Sequence, residues 1–142
     1  MVYNLSEQVA WCGAKDVPEA RENFGSVLCV AENVNVPVGP TFVPYFSLPH
    51  NEHQLVRDEY FRRLLSIIHF VSSEKMLPLL IHCRSGHHRS PTVAAMAEAI
   101  INNRPLEVVL TEVVFLWPDY EEHRKGEFAQ SLLPLAAERF GG

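Results

Sequence analysis

Two hydrophobic periods alternate along this chain. Val27-Leu28-Cys29-Val30 and Leu79-Leu80-Ile81 are short apolar runs, and each predicts a buried strand. Between them, from Gln54 to Val71, apolar residues recur at Leu55, Tyr60, Leu64, Ile67, Ile68 and Val71, a helical spacing closed by Ser72-Ser73-Glu74. Residues Val2 to Gly13 predict a strand, a turn and a second strand. Ala14 to Phe24 predicts a short helix starting near Asp16, with Pro18 in its first turn and Gly25 breaking it. Asn33 to Pro44 holds three prolines and Gly39 and predicts a loop. Val43 to Leu48 predicts a further strand, followed by a loop over Pro49-His50-Asn51-Glu52-His53. Asn102-Asn103-Arg104 closes an alanine-rich helix, Pro105 opens another through Leu116, and a last helix runs from about Glu127 to Phe140. Strands alternating with helices predict an α/β fold with a central, mostly parallel sheet flanked by helices. No repeat, linker or low-complexity segment divides it, so residues 1–142 are expected as one domain.

The chemistry concentrates between Leu79 and Pro91. A predicted strand runs into Cys83; Ser90 and Pro91 then predict a helix start, a hydroxyl N-cap with proline at the first helical position. The tight loop between them has five residues from Cys83 to Arg89, with a glycine at Gly86. A loop capping a helix N-terminus turns N–H groups inward to form an anion site, and the helix dipole adds about half a positive charge. Arg89 adds a permanent charge and a planar fork suited to two phosphate oxygens. A cysteine at the base of such a site is expected as a thiolate able to attack a bound phosphorus. The loop amides and Arg89 would then stabilise the equatorial oxygens. Ser90 could donate to the sulfur as it leaves, and His82 could fix the loop through hydrogen bonds.

His82-Cys83-Arg84-Ser85-Gly86-His87-His88-Arg89-Ser90 resembles the signature His-Cys-x-x-Gly-x-x-Arg-Ser/Thr of the cysteine-dependent protein tyrosine phosphatases, and the short chain looks most like their dual-specificity branch. The resemblance implies that Cys83 is the nucleophile of a phosphocysteine intermediate, that Arg84, Ser85, Gly86, His87, His88 and Arg89 surround the phosphate, and that Ser90 assists thiol release. It implies hydrolysis of phosphate monoesters on tyrosine, serine or threonine, with no metal and no cofactor. Arg84, His87 and His88 also resemble the enriched loops of enzymes acting on inositol polyphosphates or phosphoinositides, which leaves that substrate class open. A weakly active phosphate-recognition module is a further alternative.

Composition narrows the partners. A formal net charge of −5 argues against general nucleic-acid binding, which wants a basic face. It permits a phosphorylated protein or a small phosphorylated substrate, because the field at the loop is local. No apolar run approaches the ~20 residues of a membrane span. The first residues lack a signal-peptide pattern, and three cysteines form no even framework, so a reducing, cytoplasmic location is expected. Cys12 and Cys29 sit in apolar surroundings and are expected as buried small hydrophobes, a redox partner for Cys83 being the other option.

The general acid is the open question. Releasing an alkoxide or phenoxide needs a proton donor. In the resembling family this is an aspartate about thirty residues before the cysteine. Here that place holds Leu48-Pro49-His50-Asn51-Glu52-His53, with no aspartate. Glu52 falls closest; His50 and His53 are imidazole alternatives. Trp117-Pro118-Asp119 spells the acid-loop motif of the tyrosine-specific phosphatases but follows the cysteine. Phe128-Ala129-Gln130-Ser131-Leu132 resembles the dual-specificity C-terminal helix, which places Trp117 to Tyr120 in a loop flanking the pocket. Trp117 is expected as a packed aromatic and Asp119 as a turn or N-cap residue, and Asp119 stays a second candidate acid.

Overall fold

The computed structural model describes residues 1–32, 34, 36 and 43–140. Strands β1 (Tyr3–Asn4), β2 (Val9–Gly13), β3 (Ser26–Ala31), β4 (Tyr45–His50) and β5 (Leu79–Cys83) form a sheet of order β1-β2-β5-β3-β4. β1 is antiparallel to β2, and every other pair is parallel. The three inner strands are buried along their whole length, which is why they read as continuous apolar runs. The edge strand β4 alternates exposed and half-buried positions.

The larger core, including Leu64, Ile68, Ile81, Met96, Val109 and Phe128, lies among β2, β3, β5 and helices α2 (Asp58–Ser73), α3 (Arg89–Ile101), α4 (Leu106–Leu116) and α6 (Glu127–Phe140). A smaller cluster, Ala10, Cys12, Val17, Val27 and Leu80, packs beneath the helical segment 14–23, whose central turn is α1 (Val17–Ala20). Helix α3 is buried from Arg89 to Ala99. Its alanines Ala94, Ala95, Ala97 and Ala99 favour the helix and let neighbours approach closely.

The topology fixes the site. From β2 the chain crosses through the 14–23 segment to β3; from β4 it crosses through α2 to β5, which slots between β2 and β3. Chain connections diverge around β5, and such a switch point opens a crevice beyond the carboxyl ends of the strands. Cys83 ends β5 there, in register with Gly13 of β2.

Several boundaries differ from the sequence expectation. Helix α3 begins at Arg89 with His88 in the N-cap position, so Ser90 is not the cap and Pro91 is not the first helical residue. Both still lie in the first turn, where a missing N–H costs nothing. That frees the Ser90 hydroxyl to face Cys83. Strand β4 begins at Tyr45 and runs through Pro49 to His50, where a loop was expected. An edge strand tolerates proline because one side of it has no ladder partner. Helix α2 starts at Asp58 rather than Gln54. The Val56 N–H donates to Ser131 Oγ (2.7 Å) and the Gln54 N–H to the Asn51 carbonyl (3.2 Å), which holds this stretch out of the helix. A short helical turn, α5 (Tyr120–His123), interrupts the loop expected before α6. The loop expected over Asn33 to Pro44 falls mostly outside the described residues.

Candidate active site

Cys83 Sγ lies at the floor of the 84–88 loop, 2% exposed. The Gly86 N–H donates to it (3.2 Å), and Ser90 Oγ stands 3.2 Å away. Ser90 Oγ also lies 3.4 Å from the Cys12 carbonyl, which can only accept. The single hydroxyl proton therefore points to that carbonyl or to the sulfur; a thiolate, acceptor only, would draw it. Neither Cys12 nor Cys29 is disulfide-bonded, and both are buried. Burial, with Asp16 as a lesser contributor, pushes the Cys12 thiol up to about 12, so it is an inert neighbour at neutral pH.

The loop rests on backbone. Gly86 has a φ of +82°, and a Cβ there would lie 2.7 Å from the Gly13 nitrogen. A Cβ on Gly13 would lie 2.7 Å from the Ser85 carbonyl oxygen. The two glycines let strand end and loop touch, and the Ala14 N–H donates to the Arg84 carbonyl (3.0 Å) across the same seam.

His82, next to Cys83 at the end of β5, is fully buried. Its Nδ1 lies 3.1 Å from the Cys83 carbonyl and must carry the proton, so Nε2 accepts from the Tyr45 hydroxyl (2.7 Å). Burial foremost holds its pKa below the usual imidazole value, opposed by the Cys83 carbonyl. The ring is a neutral strut fixing the strand end.

Arg89 is the first residue of α3 and 6% exposed. One terminal N–H donates to the His50 carbonyl (2.6 Å), while Nε is buried and meets no acceptor among the described residues. A buried, unmet guanidinium N–H costs free energy unless a ligand oxygen completes it. Arg89 lines a pocket of about 240 Å³ with Ser85, Arg84, Glu52 and His53. A larger cavity, about 840 Å³, is lined by Glu7, Asp16 and Glu19 and contains none of the groups just described.

The candidate acids separate. Glu52 lines the Arg89 pocket, with Oε1 3.5 Å from His53 Nε2 and Oε2 3.9 Å from His88 Nδ1. His50 Nδ1 donates to the Asn51 carbonyl (2.7 Å), and its ring packs edge-on against Tyr60 and Phe128. His53 is 85% exposed at the rim. Asp119 is the exposed N-cap residue of α5, its carbonyl accepting from the Glu122 and His123 N–H groups, and it does not line that pocket. Trp117 is half-buried, and His87 stacks on it with centroids 4.6 Å apart. His88 is turned beneath Gly126 against Phe128. Of the three expected extra donors, Arg84 alone lines the pocket.

Among the described residues, no group of three His, Cys, Asp or Glu side chains is arranged to hold a metal ion, and no helix is long and apolar enough to cross a membrane. Sequence reasoning missed Gly13, Tyr45, Gly126 and the His50 carbonyl. Gly13 closing a strand was the available signal; the others depend on register between distant segments.

This architecture is the dual-specificity-like fold of the protein tyrosine phosphatase superfamily. Tk-PTP in its active form is 20% identical, with a TM-score of 0.65 over 97% of this chain and 97% of that one. Human DUSP28 is 13% identical, with a TM-score of 0.75 over 98% of this chain and 92% of its own. TpbA of P. aeruginosa is 18% identical, with a TM-score of 0.59 over 96% and 90%. No protein-family model and no curated protein matches the sequence.

Proposed function

We propose that this chain is a cysteine-dependent phosphatase hydrolysing phosphate monoesters of protein side chains, without metal or cofactor. The carrying observation is Cys83 Sγ bounded by the Gly86 N–H and Ser90 Oγ, together with, where the same loop enters α3, a buried Arg89 Nε that meets no acceptor among the described residues. The Cys83 thiolate attacks phosphorus and forms S–P as the ester P–O bond breaks. Glu52, as the carboxylic acid, gives its proton to the departing oxygen. Arg89 and the loop amides hold the three equatorial oxygens, whose charge grows in the transition state. Water then attacks phosphorus, the resulting Glu52 carboxylate takes its proton, and S–P breaks with Ser90 donating to the leaving sulfur. The geometry favours Glu52 over Asp119 because Glu52 shares a pocket with Arg89. It favours a monoester over a polyphosphate because, of Arg84, His87 and His88, only Arg84 lines that pocket.

The test is hydrolysis of p-nitrophenyl phosphate beside Cys83→Ser. Metal-independent turnover that the variant abolishes is the expected result. No turnover while vanadate still binds would replace this reading with a phosphate-recognition module.

A further inference from the structure

Glu52 has to present one oxygen to the leaving group, and its own loop offers the carboxylate only the exposed ring of His53, 3.5 Å from Oε1. The turn at Asn51 fixes only backbone: Asn51 Oδ1 accepts from the His53 N–H (2.8 Å), and the Asn51 carbonyl from the Gln54 N–H (3.2 Å). On the carboxylate, Oε1 faces the solvent-exposed His53, whereas Oε2 faces Nδ1 of His88, a side chain only 12% exposed. The His88 backbone is fixed as well. Its carbonyl accepts from Thr92 Oγ1 (2.8 Å), which is itself paired with the Tyr120 hydroxyl (2.6 Å). Its ring stands edge-on to Phe128 at 6.1 Å and occupies the space that a side chain on Gly126 would need.

We propose that His88 is a positioning residue that grips Glu52 Oε2 and aims Oε1 at the departing oxygen, and that Gly126 lacks a side chain in order to seat the His88 ring. This rests on the phosphatase reading with Glu52 as the acid. His88 Nε2 is buried with no partner among the described residues, so its one proton belongs on Nδ1, facing the carboxylate. The 3.9 Å separation is longer than a hydrogen bond, as catalytic contacts often are before substrate closes them. Besides Glu52, 3.9 Å away, the charged or titratable groups whose fields act on the ring are His123, Arg89 and His53. Burial foremost holds His88 below the usual imidazole range. A neutral donor orients the carboxylic acid without stripping its proton, as an imidazolium would.

The experiment compares kcat/KM for 2,4-dinitrophenyl phosphate, which needs no acid, with phenyl phosphate, which does. In the wild type and in His88→Ala, His88→Asn, Gly126→Ala and Glu52→Gln, the ratio of the two rates is the readout. Glu52→Gln should raise the ratio by about a hundredfold, within the range for general acids. His88→Ala and Gly126→Ala should raise it about tenfold or more, since misplacement by about 1 Å costs up to that order or beyond. His88→Asn, whose amide can reach near the Nδ1 position, should restore most of it, and His88→Ala added to Glu52→Gln should raise it no further. An equal loss on both esters, or an additive double variant, would overturn the positioning role. An unchanged ratio in Glu52→Gln would overturn it through the acid assignment. Failure of the phosphatase reading itself looks different: the wild type would then leave both esters intact.

Discussion

Gly13→Ala isolates the backbone seam behind the 84–88 loop, because Gly13 lies outside the loop and has an ordinary φ of −87°. The only new feature is one methyl group, and its Cβ would lie 2.7 Å from the Ser85 oxygen and 2.8 Å from the Ser85 carbon. Both neighbours are backbone and cannot swing away. Restoring the 3.4 Å of ordinary contact needs roughly 0.7 Å of displacement. The strand end is locked between β5 and α3, so the movable partner is the 84–88 loop that carries the Gly86 donor and leads into Arg89. Overpacking of this kind costs about 1–3 kcal/mol of stability. A misplacement approaching 1 Å costs up to about a hundredfold in rate. Gly25→Ala is the control: its Cβ would lie 2.6 Å from the carbonyl oxygens of Met76 and Leu77, an equal clash in a different seam. The assay is kcat/KM on p-nitrophenyl phosphate beside a thermal melt. Both variants should lose stability, while Gly13→Ala should also lose about tenfold to a hundredfold in kcat/KM. Equal activity in the two variants would refute the claim that β2 sets the geometry of the loop.

Ser90→Ala should spare formation of the phosphocysteine and slow its breakdown, so rapid-quench kinetics should show a larger burst than in the wild type; a smaller burst would place Ser90 in the first step. Asp119→Asn should leave the dinitrophenyl-to-phenyl rate ratio unchanged, and a raised ratio would make it the acid. Tyr45→Phe leaves His82 Nε2 buried without a donor and should cost about 1–3 kcal/mol in urea unfolding; no loss would mean the bond is not formed in solution. His82 is also a pH handle. Its folded pKa is lowered from 6.5, chiefly by burial, so below about 6.5 the unfolded chain binds more protons. This contribution is full above that pH and is lost as pH falls from about 6.5 toward the folded pKa, so the melting temperature should drop as the pH is taken below about 6.5 and His82→Gln should flatten the drop. Buried Glu98 accepts from Ser6 (2.6 Å), Asn102 (2.7 Å) and Arg104 (3.1 Å), and Glu98→Ala should cost about 3 kcal/mol, or roughly 10 °C, because Arg104 keeps Glu112 as a partner. A melting temperature within a degree or two of wild type would show that Glu112 compensates.

What could be read from the chain was what is local. The strands β3 and β5, the period of α2 from Tyr60 to Val71 and the spacing from Cys83 through Gly86 to Arg89 are short-range patterns that survive in the structure, whereas Leu55, read into the same period, lies exposed before the helix. What could not be read is set by register. Tyr45 meets His82 because β4 and β5 flank β3 from opposite sides, and no spacing along the chain encodes that. Glu52 and Asp119 both sit in plausible loops on sequence grounds, and only the course of β4 through Pro49 to His50 carries Glu52 into the pocket of Arg89. The start of α3 was displaced because Ser90 carries both a capping hydroxyl and a place beside sulfur, and the second use prevails. Gly126 looks like an ordinary helix-preceding glycine until His88 is found lying over it.

The proposed mechanism requires a covalent bond between phosphorus and one sulfur. Acid quenching during turnover of an aryl phosphate, followed by peptide mass spectrometry, should find a phosphoryl group on the peptide carrying Cys83, enriched in Ser90→Ala and absent from Cys83→Ser. Turnover with no phosphoryl group on Cys83 in either the wild type or Ser90→Ala would contradict the mechanism at its first step.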